Sequence, residues 1–168
     1  FLAADGTWRA PSAPGGIGSG EILPAAPRAG DAFYRTDLST LFIFDGVRGK
    51  WLGELESDGA GLNNDHNAGY LKRFNGALMS ASVGILVPYD ITIVGLSMAW
   101  VNARSGTVHV HRNGIPVASV VFPTTTTVAD MNLDADVAAG GILAFSTSDH
   151  TNALTMPQLR CWWRRRAL

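Results

Sequence analysis

From Tyr70 to Arg164 the sequence alternates short strand-forming runs with turn residues, and this alternation restricts the possible folds more than any other feature. About eight such runs are separated by clusters of Gly, Pro, Asn and Asp, as is typical of an antiparallel β-sandwich or barrel. We find no amphipathic helical pattern of about ten residues or more. The chain is therefore predicted to be all-β, with strands at Tyr70–Phe74, Val83–Val87, Thr92–Val101, Thr107–Arg112, Ile115–Phe122, Val128–Leu133, Gly141–Ser146 and Gln158–Arg164.

The pair Asn113-Gly114 predicts the clearest single element, a β-hairpin. Asn-Gly supplies the two residues with positive φ that a type I′ turn requires, and the twist of that turn matches the flanking strands. In the strand before it, alternation places Val108 and Val110 on one face and His109 and His111 on the other.

Composition divides the chain into four segments. Residues 1–31 are rich in Gly, Ala and Pro and are predicted to form an extended arm, because such a segment sustains neither a helix nor a central strand. Residues 32–53 are predicted to form a small β-meander, and the polar residues 54–69 a linker. Residues 70–168 carry the predicted sandwich.

The predicted meander has three short strands joined by turns at Asp37–Thr40 and Asp45–Gly46. So small a sheet is marginal without further packing. Its strands, Ala32–Arg35, Leu41–Phe44 and Lys50–Leu52, contribute an aromatic cluster of Phe33, Tyr34, Phe42, Phe44 and Trp51.

The charge content indicates a partly covered surface and argues against nucleic-acid binding. Charged residues make up 16% of the chain, against about 25% in typical domains, so we expect part of the surface to be covered by another copy of the chain. The net charge of −1 provides no global field to attract nucleic acid.

Cys161 is the sole cysteine, which excludes an intrachain disulfide. No apolar run approaches the roughly 18 residues of a membrane span, and residues 1–10 lack a signal-peptide pattern.

Two stretches resemble structural proteins of tailed bacteriophages. The segment Pro27–Asp37, followed by Leu41–Gly46 and Trp51-Leu52, resembles a short module in which a GD-x-FYRTD strand leads to an LF-x-x-DG…W hairpin. Leu2–Trp8 resembles the end of a preceding fibre repeat, and Gly84–Arg164 resembles the jelly-roll domains of fibres, spikes and capsid decoration proteins. The resemblance implies an antiparallel jelly-roll-like sandwich, a homotrimer and a location in the virion.

His109 and His111 are the candidate metal ligands, since residues two apart lie on one face of a strand. The resemblance implies such a role, because phage spike tips use an H-x-H pair around a three-fold axis. The alternative is two solvent-facing or interface histidines, since the pair lies within a hairpin domain and no carboxylate or third histidine is close in sequence.

Asp149-His150, with Ser146 and Ser148 nearby, is the segment closest to a hydrolytic arrangement. A catalytic triad needs three groups that converge in space, which neighbours on one loop rarely do, and the chain has no G-x-S-x-G elbow. We therefore expect no catalytic residues and no enzyme here.

Asp130, Asp134 and Asp136 raise the question of calcium, but the EF-hand spacing, its Gly and its closing Glu are absent. A solvated strand edge is the alternative. No cofactor is predicted for the chain.

The C-terminal run Arg160–Leu168 combines arginines with tryptophans, as some nucleic-acid-binding segments do. The alternative interpretation is a last strand, with Cys161 and Trp163 on one face and Trp162 on the other. In that case the arginines pair with acidic neighbours and Cys161 is a small buried apolar side chain.

Together with these observations, the resemblance implies a trimeric fibre or spike component of a phage virion that contacts the host surface, attached to other virion proteins through residues 1–53. A host receptor or a glycan is the expected outer partner, and neither nucleic-acid binding nor membrane insertion is expected. The alternatives are a capsid decoration protein, whose arm would grip the shell, and a carbohydrate-binding module or carbohydrate-active enzyme. An enzyme of that class needs paired carboxylates, and the three Glu all lie before residue 57.

Overall fold

A computed structural model describes residues 17–150 and 152–167, and in these residues the chain is all-β. Fourteen strands and no helix occur in this part of the chain, which confirms the predicted fold class. No helix there is long and apolar enough to cross a membrane. The strands are β1 (Gly18–Gly20), β2 (Ala32–Arg35), β3 (Thr40–Asp45), β4 (Lys50–Gly61), β5 (Asp65–His66), β6 (Gly69–Tyr70), β7 (Lys72–Arg73), β8 (Ile85–Leu86), β9 (Ile91–Arg112), β10 (Ile115–Asp130), β11 (Ala135–Val137), β12 (Ile142–Ser148), β13 (Leu154–Thr155) and β14 (Gln158–Arg166).

The described residues form two compact units, of which the first comprises residues 17–54 and Ala167. In it β2, β3 and β4 pair antiparallel in chain order, as predicted. Phe33, Phe42 and Trp51 are buried together, and the Trp51 ring lies edge-on to Phe33 and Phe44 at centroid distances of 6.2 and 5.5 Å. Tyr34 is exposed instead of joining this cluster, because alternation along β2 turns it away from Phe33.

The turns of this unit follow from their residues. Ser39 has a φ of 48° and Gly49 a φ of 64°. The Asp45 carboxylate accepts hydrogen bonds from the backbone N–H groups of Val47 and Arg48 at 3.0 and 3.1 Å, which closes the second turn.

The predicted arm and the predicted linker both contain strands. β1 pairs parallel with β2, so part of the 1–31 segment belongs to the module; residues 1–16 lie outside the described residues. Within 54–69 the structure has the second half of β4 together with β5 and the start of β6. Gly59 and Gly61 explain the difference, since a Cβ atom at these positions would lie 2.4 Å from the Leu159 carbonyl oxygen and 2.6 Å from that of Pro157. The glycines that suggested a linker instead allow two backbones to approach closely.

The second unit, residues 55–166, is built along the 22-residue strand β9. The predicted strands Thr92–Val101 and Thr107–Arg112 are continuous in β9. β10 likewise joins the predicted strand Ile115–Phe122 to the first half of Val128–Leu133 and ends at Asp130. On one side β14 pairs with the first half of β9 and β12 with the second half. The described pairings of this unit are antiparallel, as predicted, whereas the jelly-roll connectivity stays a prediction.

The hairpin between β9 and β10 turns at Asn113 and Gly114, whose φ angles are 51° and 83°. Both residues have the positive φ of a type I′ turn, which confirms the prediction. The Asn113 side-chain oxygen also accepts a hydrogen bond from the Ile142 backbone N–H at 2.8 Å, and so ties the turn to β12.

The core of the second unit forms along β9, β12 and β14. Buried and less buried side chains alternate along β14 from Gln158 to Trp163, as the period of two requires, whereas Ile91–Leu96 and Leu143–Thr147 are buried at every position. Its fully buried members include Ile91, Ile93, Leu96, Val108, Val110, Leu143, Phe145 and Cys161.

We expect Gly114→Ala to destabilise the protein more than Gly76→Ala. The φ angles of Gly114 and Gly76 are 83° and 85°, so each alanine costs about 1–2 kcal/mol of backbone strain. A Cβ at Gly114 would also lie 2.6 Å from the Ala81 Cβ, whereas one at Gly76 meets nothing within 4 Å. Urea denaturation should therefore show about 1–3 kcal/mol of additional loss for Gly114→Ala. Equal losses for the two variants would contradict the predicted close contact at the hairpin.

Candidate functional site

The outer face of the sheet formed by β10, β9 and β14 carries short side chains. Ser97 lies opposite Ala129 on one side and Arg160 on the other. Ala99 lies likewise between Thr127 and Gln158. The intervening residues Met98 and Leu159 point into the core, each 2% exposed. The face is therefore shallow over β9 and β10 and is bounded by longer side chains on β14.

Phe74 lies next to this face, directly after β7, and its side chain is 65% exposed. Beneath it lies Gly59 of β4, where a Cβ atom would be 3.0 Å from the ring's Cζ. The absence of a side chain at Gly59 thus gives the ring its place beside β14.

Two depressions meet at Phe74 and Gln158, and we call them together the Phe74 trough. The larger, of about 460 Å³, lies over the sheet face, and the smaller, of about 260 Å³, lies toward the loop after β4. These volumes are in the range of small-molecule sites. The residues that line the trough are Gly61, Leu62, Asn63, Asn64, Lys72, Arg73, Phe74, Gly76, Ser97, Met98, Ala99, Thr127, Val128, Ala129, Gln158, Leu159 and Arg160.

The polar side chains of the trough are positioned by contacts at their edges. Gln158 Nε2 donates to the Leu62 carbonyl oxygen at 3.2 Å, and Arg160 Nη1 donates to Ser57 Oγ at 3.1 Å. Arg73 Nη1 donates to the Gly84 carbonyl oxygen at 3.3 Å, and its Nη2 lies 4.0 Å from an Asp58 carboxylate oxygen. Since a guanidinium has five N–H donors, Arg160 retains donors beyond the one bound to Ser57.

The charge of the trough has one sign. Three described lining residues are basic, Lys72, Arg73 and Arg160, and none is acidic. Asp58 offsets part of the charge of Arg73 from outside the lining. The trough therefore presents positive charge and amide groups around one exposed aromatic ring.

His109 and His111 lie side by side on β9, with ring centroids 5.9 Å apart. His109 has Ser119 Oγ at 2.7 Å from Nδ1 and Ser148 Oγ at 2.8 Å from Nε2. His111 has Ser146 Oγ at 2.7 Å from Nε2 and the Gly114 carbonyl oxygen at 3.2 Å from Nδ1. A metal ion would have to replace one of these hydrogen bonds at each ring, and the metal role of the pair stays a prediction.

The structure separates the residues of the hydrolytic alternative. Ser148 Oγ donates to Asp149 at 2.5 Å and also contacts His109. His150 contacts Thr147 Oγ1 at 3.0 Å instead, on the opposite face of β12 from Ser146 and Ser148. The described contacts thus do not join His150 to either serine.

Two aspartates of the calcium alternative bind different partners. Asp136 accepts hydrogen bonds from Thr92 Oγ1 at 2.7 Å and from Arg166 Nη1 at 3.0 Å, and Asp130 accepts one from the Asn132 backbone N–H. Among residues 17–150 and 152–167, no group of three or more His, Cys, Asp or Glu side chains is placed to hold a metal ion.

The C-terminal arginines and tryptophans form a strand, as the second interpretation of the sequence predicted. Cys161 and Trp163 are buried, whereas Trp162 lies on the opposite face and is half-buried. Burial raises the pKa of the Cys161 thiol, so the side chain is neutral and acts as a small apolar group. Arg166 pairs with Asp136, and the Arg165 guanidinium lies 4.9 Å from the centre of the Tyr89 ring.

No sequence motif marks Phe74, Gln158 or Lys72 as functional residues. Each lies within a predicted strand, Tyr70–Phe74 or Gln158–Arg164, where a structural role is the expectation. The signal was available at Phe74, a large aromatic residue between the basic pair Lys72-Arg73 and the turn residues Asn75-Gly76. Its exposure depends on Gly59, 15 residues earlier in the chain, and no local pattern indicates that contact.

Comparisons with known proteins provide no further assignment: no protein family and no curated protein matches this chain.

His66 and His109 should make the free energy of unfolding decrease at acidic pH. Burial lowers the pKa of His66. The hydrogen bond to the Gly69 backbone raises this pKa by less, and the nearby His150 lowers it slightly further. Burial also lowers the pKa of His109, helped by His111 and opposed by Asp149. The unfolded chain therefore takes up protons at about pH 6.5, before the folded protein does.

Accordingly, the contribution of these two histidines to the free energy of unfolding should be constant well above about pH 6.5 and decrease as the pH falls through and below that value. Urea denaturation at a series of pH values measures the slope. His109→Gln should reduce it, since the substituted side chain does not titrate. An unchanged slope in this variant would show that His109 titrates alike in the folded and unfolded chain.

Proposed function

We propose that this chain is a structural protein of a tailed-bacteriophage virion, specifically a fibre or spike component. The observation that carries the proposal is the module of β2, β3 and β4, in which the residues of the phage-like motif form three strands around Trp51. The motif residues are the ones that the module needs: Phe33 and Phe42 fill its core, and Asp45 closes its second turn. Residues 1–53 then attach the chain to other virion proteins.

The proposed assembly is a homotrimer. Charged residues amount to 16% of the chain, which is low for a protein that solvates its whole surface alone. The second unit also exposes large apolar side chains on the long hairpin, including Val101 at 66% and Val121 at 76%. Contacts between copies would remove such side chains from water.

The proposed role of the second unit is to contact the host surface. It offers the Phe74 trough, a concave surface with an aromatic ring and polar groups, which is the kind of surface that binding modules use. The proposal assigns no catalysis to the chain. Its support is that the described contacts of His150 lead to Thr147 and Asn152 and not to a serine nucleophile.

Labelling of virions tests the proposed location. An antibody against residues 55–166 should place gold on tail fibres or spikes when purified virions are viewed by electron microscopy. An antibody against a major capsid protein serves as the control for head labelling. Gold over the head shell would overturn the fibre proposal and favour a capsid decoration protein, and unlabelled virions would overturn the virion location itself.

The proposed trimer predicts a mass in solution of three times the 17.8 kDa of one chain. Light scattering coupled to size-exclusion chromatography at micromolar concentration measures that mass directly. Val121→Lys should shift the protein toward the monomer if the exposed side of the hairpin lies between copies, because a buried unpaired charge is costly. A monomeric unsubstituted chain would contradict the explanation given for the low charge content.

A further inference from the structure

The exposed ring of Phe74 is the first feature of the trough that indicates a ligand. A phenylalanine that is 65% exposed leaves apolar surface in water, and a bound molecule with an apolar face would remove that surface. The ring belongs to both depressions, so a ligand that follows the trough passes over it. One face of a pyranose ring consists of C–H groups and packs against an aromatic ring in this way.

The amide side chains of the trough are suited to hydroxyl groups. Asn63, Asn64 and Gln158 line the smaller depression. Each carboxamide offers both donors and an acceptor, as neighbouring sugar hydroxyls require. Gln158 is held by its hydrogen bond to the Leu62 carbonyl oxygen, which leaves its Oε1 as an acceptor at the junction of the two depressions.

The charges of the trough favour an anionic ligand. Arg160 is exposed at the edge of the larger depression, and Lys72 is exposed at the smaller one. None of the described lining residues is acidic, so no carboxylate of the lining neutralises the charges of Lys72 and Arg160. A guanidinium binds carboxylate and phosphate groups through paired hydrogen bonds.

We infer that the Phe74 trough binds an acidic oligosaccharide, one that carries uronic acid or phosphate groups. A sugar ring packs on Phe74, its hydroxyls bind the amides, and its acidic groups bind Arg160 and Lys72. Single-stranded nucleic acid has the same charge, but proteins that bind it present a series of stacking rings along a basic groove. The trough has one exposed ring, and the chain has a net charge of −1. The inference rests on the proposed contact with the host surface and specifies its chemistry.

The experiment applies the purified full chain to an array in which neutral oligosaccharides are paired with counterparts that carry uronic acid or phosphate. Titration calorimetry then measures the dissociation constants of the strongest acidic member and of its neutral counterpart. Phe74→Ala and Arg160→Gln should each weaken binding of the acidic member about tenfold or more. Leu86→Ala and Arg28→Gln are the matched controls, an exposed apolar and an exposed basic residue outside the trough, and should bind like the unsubstituted chain.

Thermal unfolding of each variant separates loss of the site from loss of the fold. Phe74 and Arg160 are exposed, so the Tm of both variants should equal that of the unsubstituted chain within about 2 °C. Absence of binding to every acidic member would overturn the inference. So would equal binding of the neutral counterpart, binding that survives both substitutions, or tighter binding of a single-stranded RNA homopolymer.

These outcomes are independent of those for the proposed function. A chain located on fibres that binds no acidic glycan would overturn only the ligand assignment. A chain that binds one but is absent from virions would overturn only the virion role.

Discussion

The fold of the second unit depends on the pairing of β9 along both of its edges. This strand runs from Ile91 to Arg112 and pairs with β10 along most of its length, while β14 and β12 divide its other side between them. An interior strand with both edges paired satisfies its backbone N–H and C=O groups without water, so side chains on both faces are free to be buried. From Ile91 to Leu96 every residue is buried. The core and the outer face of the trough are therefore two faces of the same strand.

Local signals in the sequence predicted the elements that local chemistry determines. Asn113-Gly114 predicted the hairpin because the two φ angles that its turn needs are allowed to few other residue pairs. Asp37–Thr40 and Asp45-Gly46 predicted the turns of the first unit for similar reasons. The alternation at Cys161, Trp162 and Trp163 predicted which face of the last strand is buried, because a side-chain period of two leaves no other arrangement once one face meets a core.

The sequence could not predict features that depend on distant residues. Two predicted strands are one in β9, and the polar segment between them, Asn102–Gly106, is held by contacts with distant residues. Arg104 and Gly106 pair with Thr125 and Phe122 of β10. Asn102, for example, accepts a hydrogen bond from the Thr155 backbone N–H and donates one to the Ala153 carbonyl oxygen, more than 50 residues away. The trough was missed for the same reason. Its ring, amides and cations come from segments that only the tertiary fold brings together.

Gly59 and Gly61 show how one constraint on the fold also shapes the candidate site. Composition alone associates glycines with flexible connections, yet here each lies where a Cβ atom would meet the backbone of the neighbouring segment at 2.6 Å or less. The same missing side chains leave space on the outer face, and this space is occupied by the Phe74 ring above Gly59 and by the Gln158 carboxamide near Gly61. A larger residue at either position would disturb the backbone contact and the trough together. The close approach of β4 to the last strand and the exposure of the aromatic ring therefore have one physical cause.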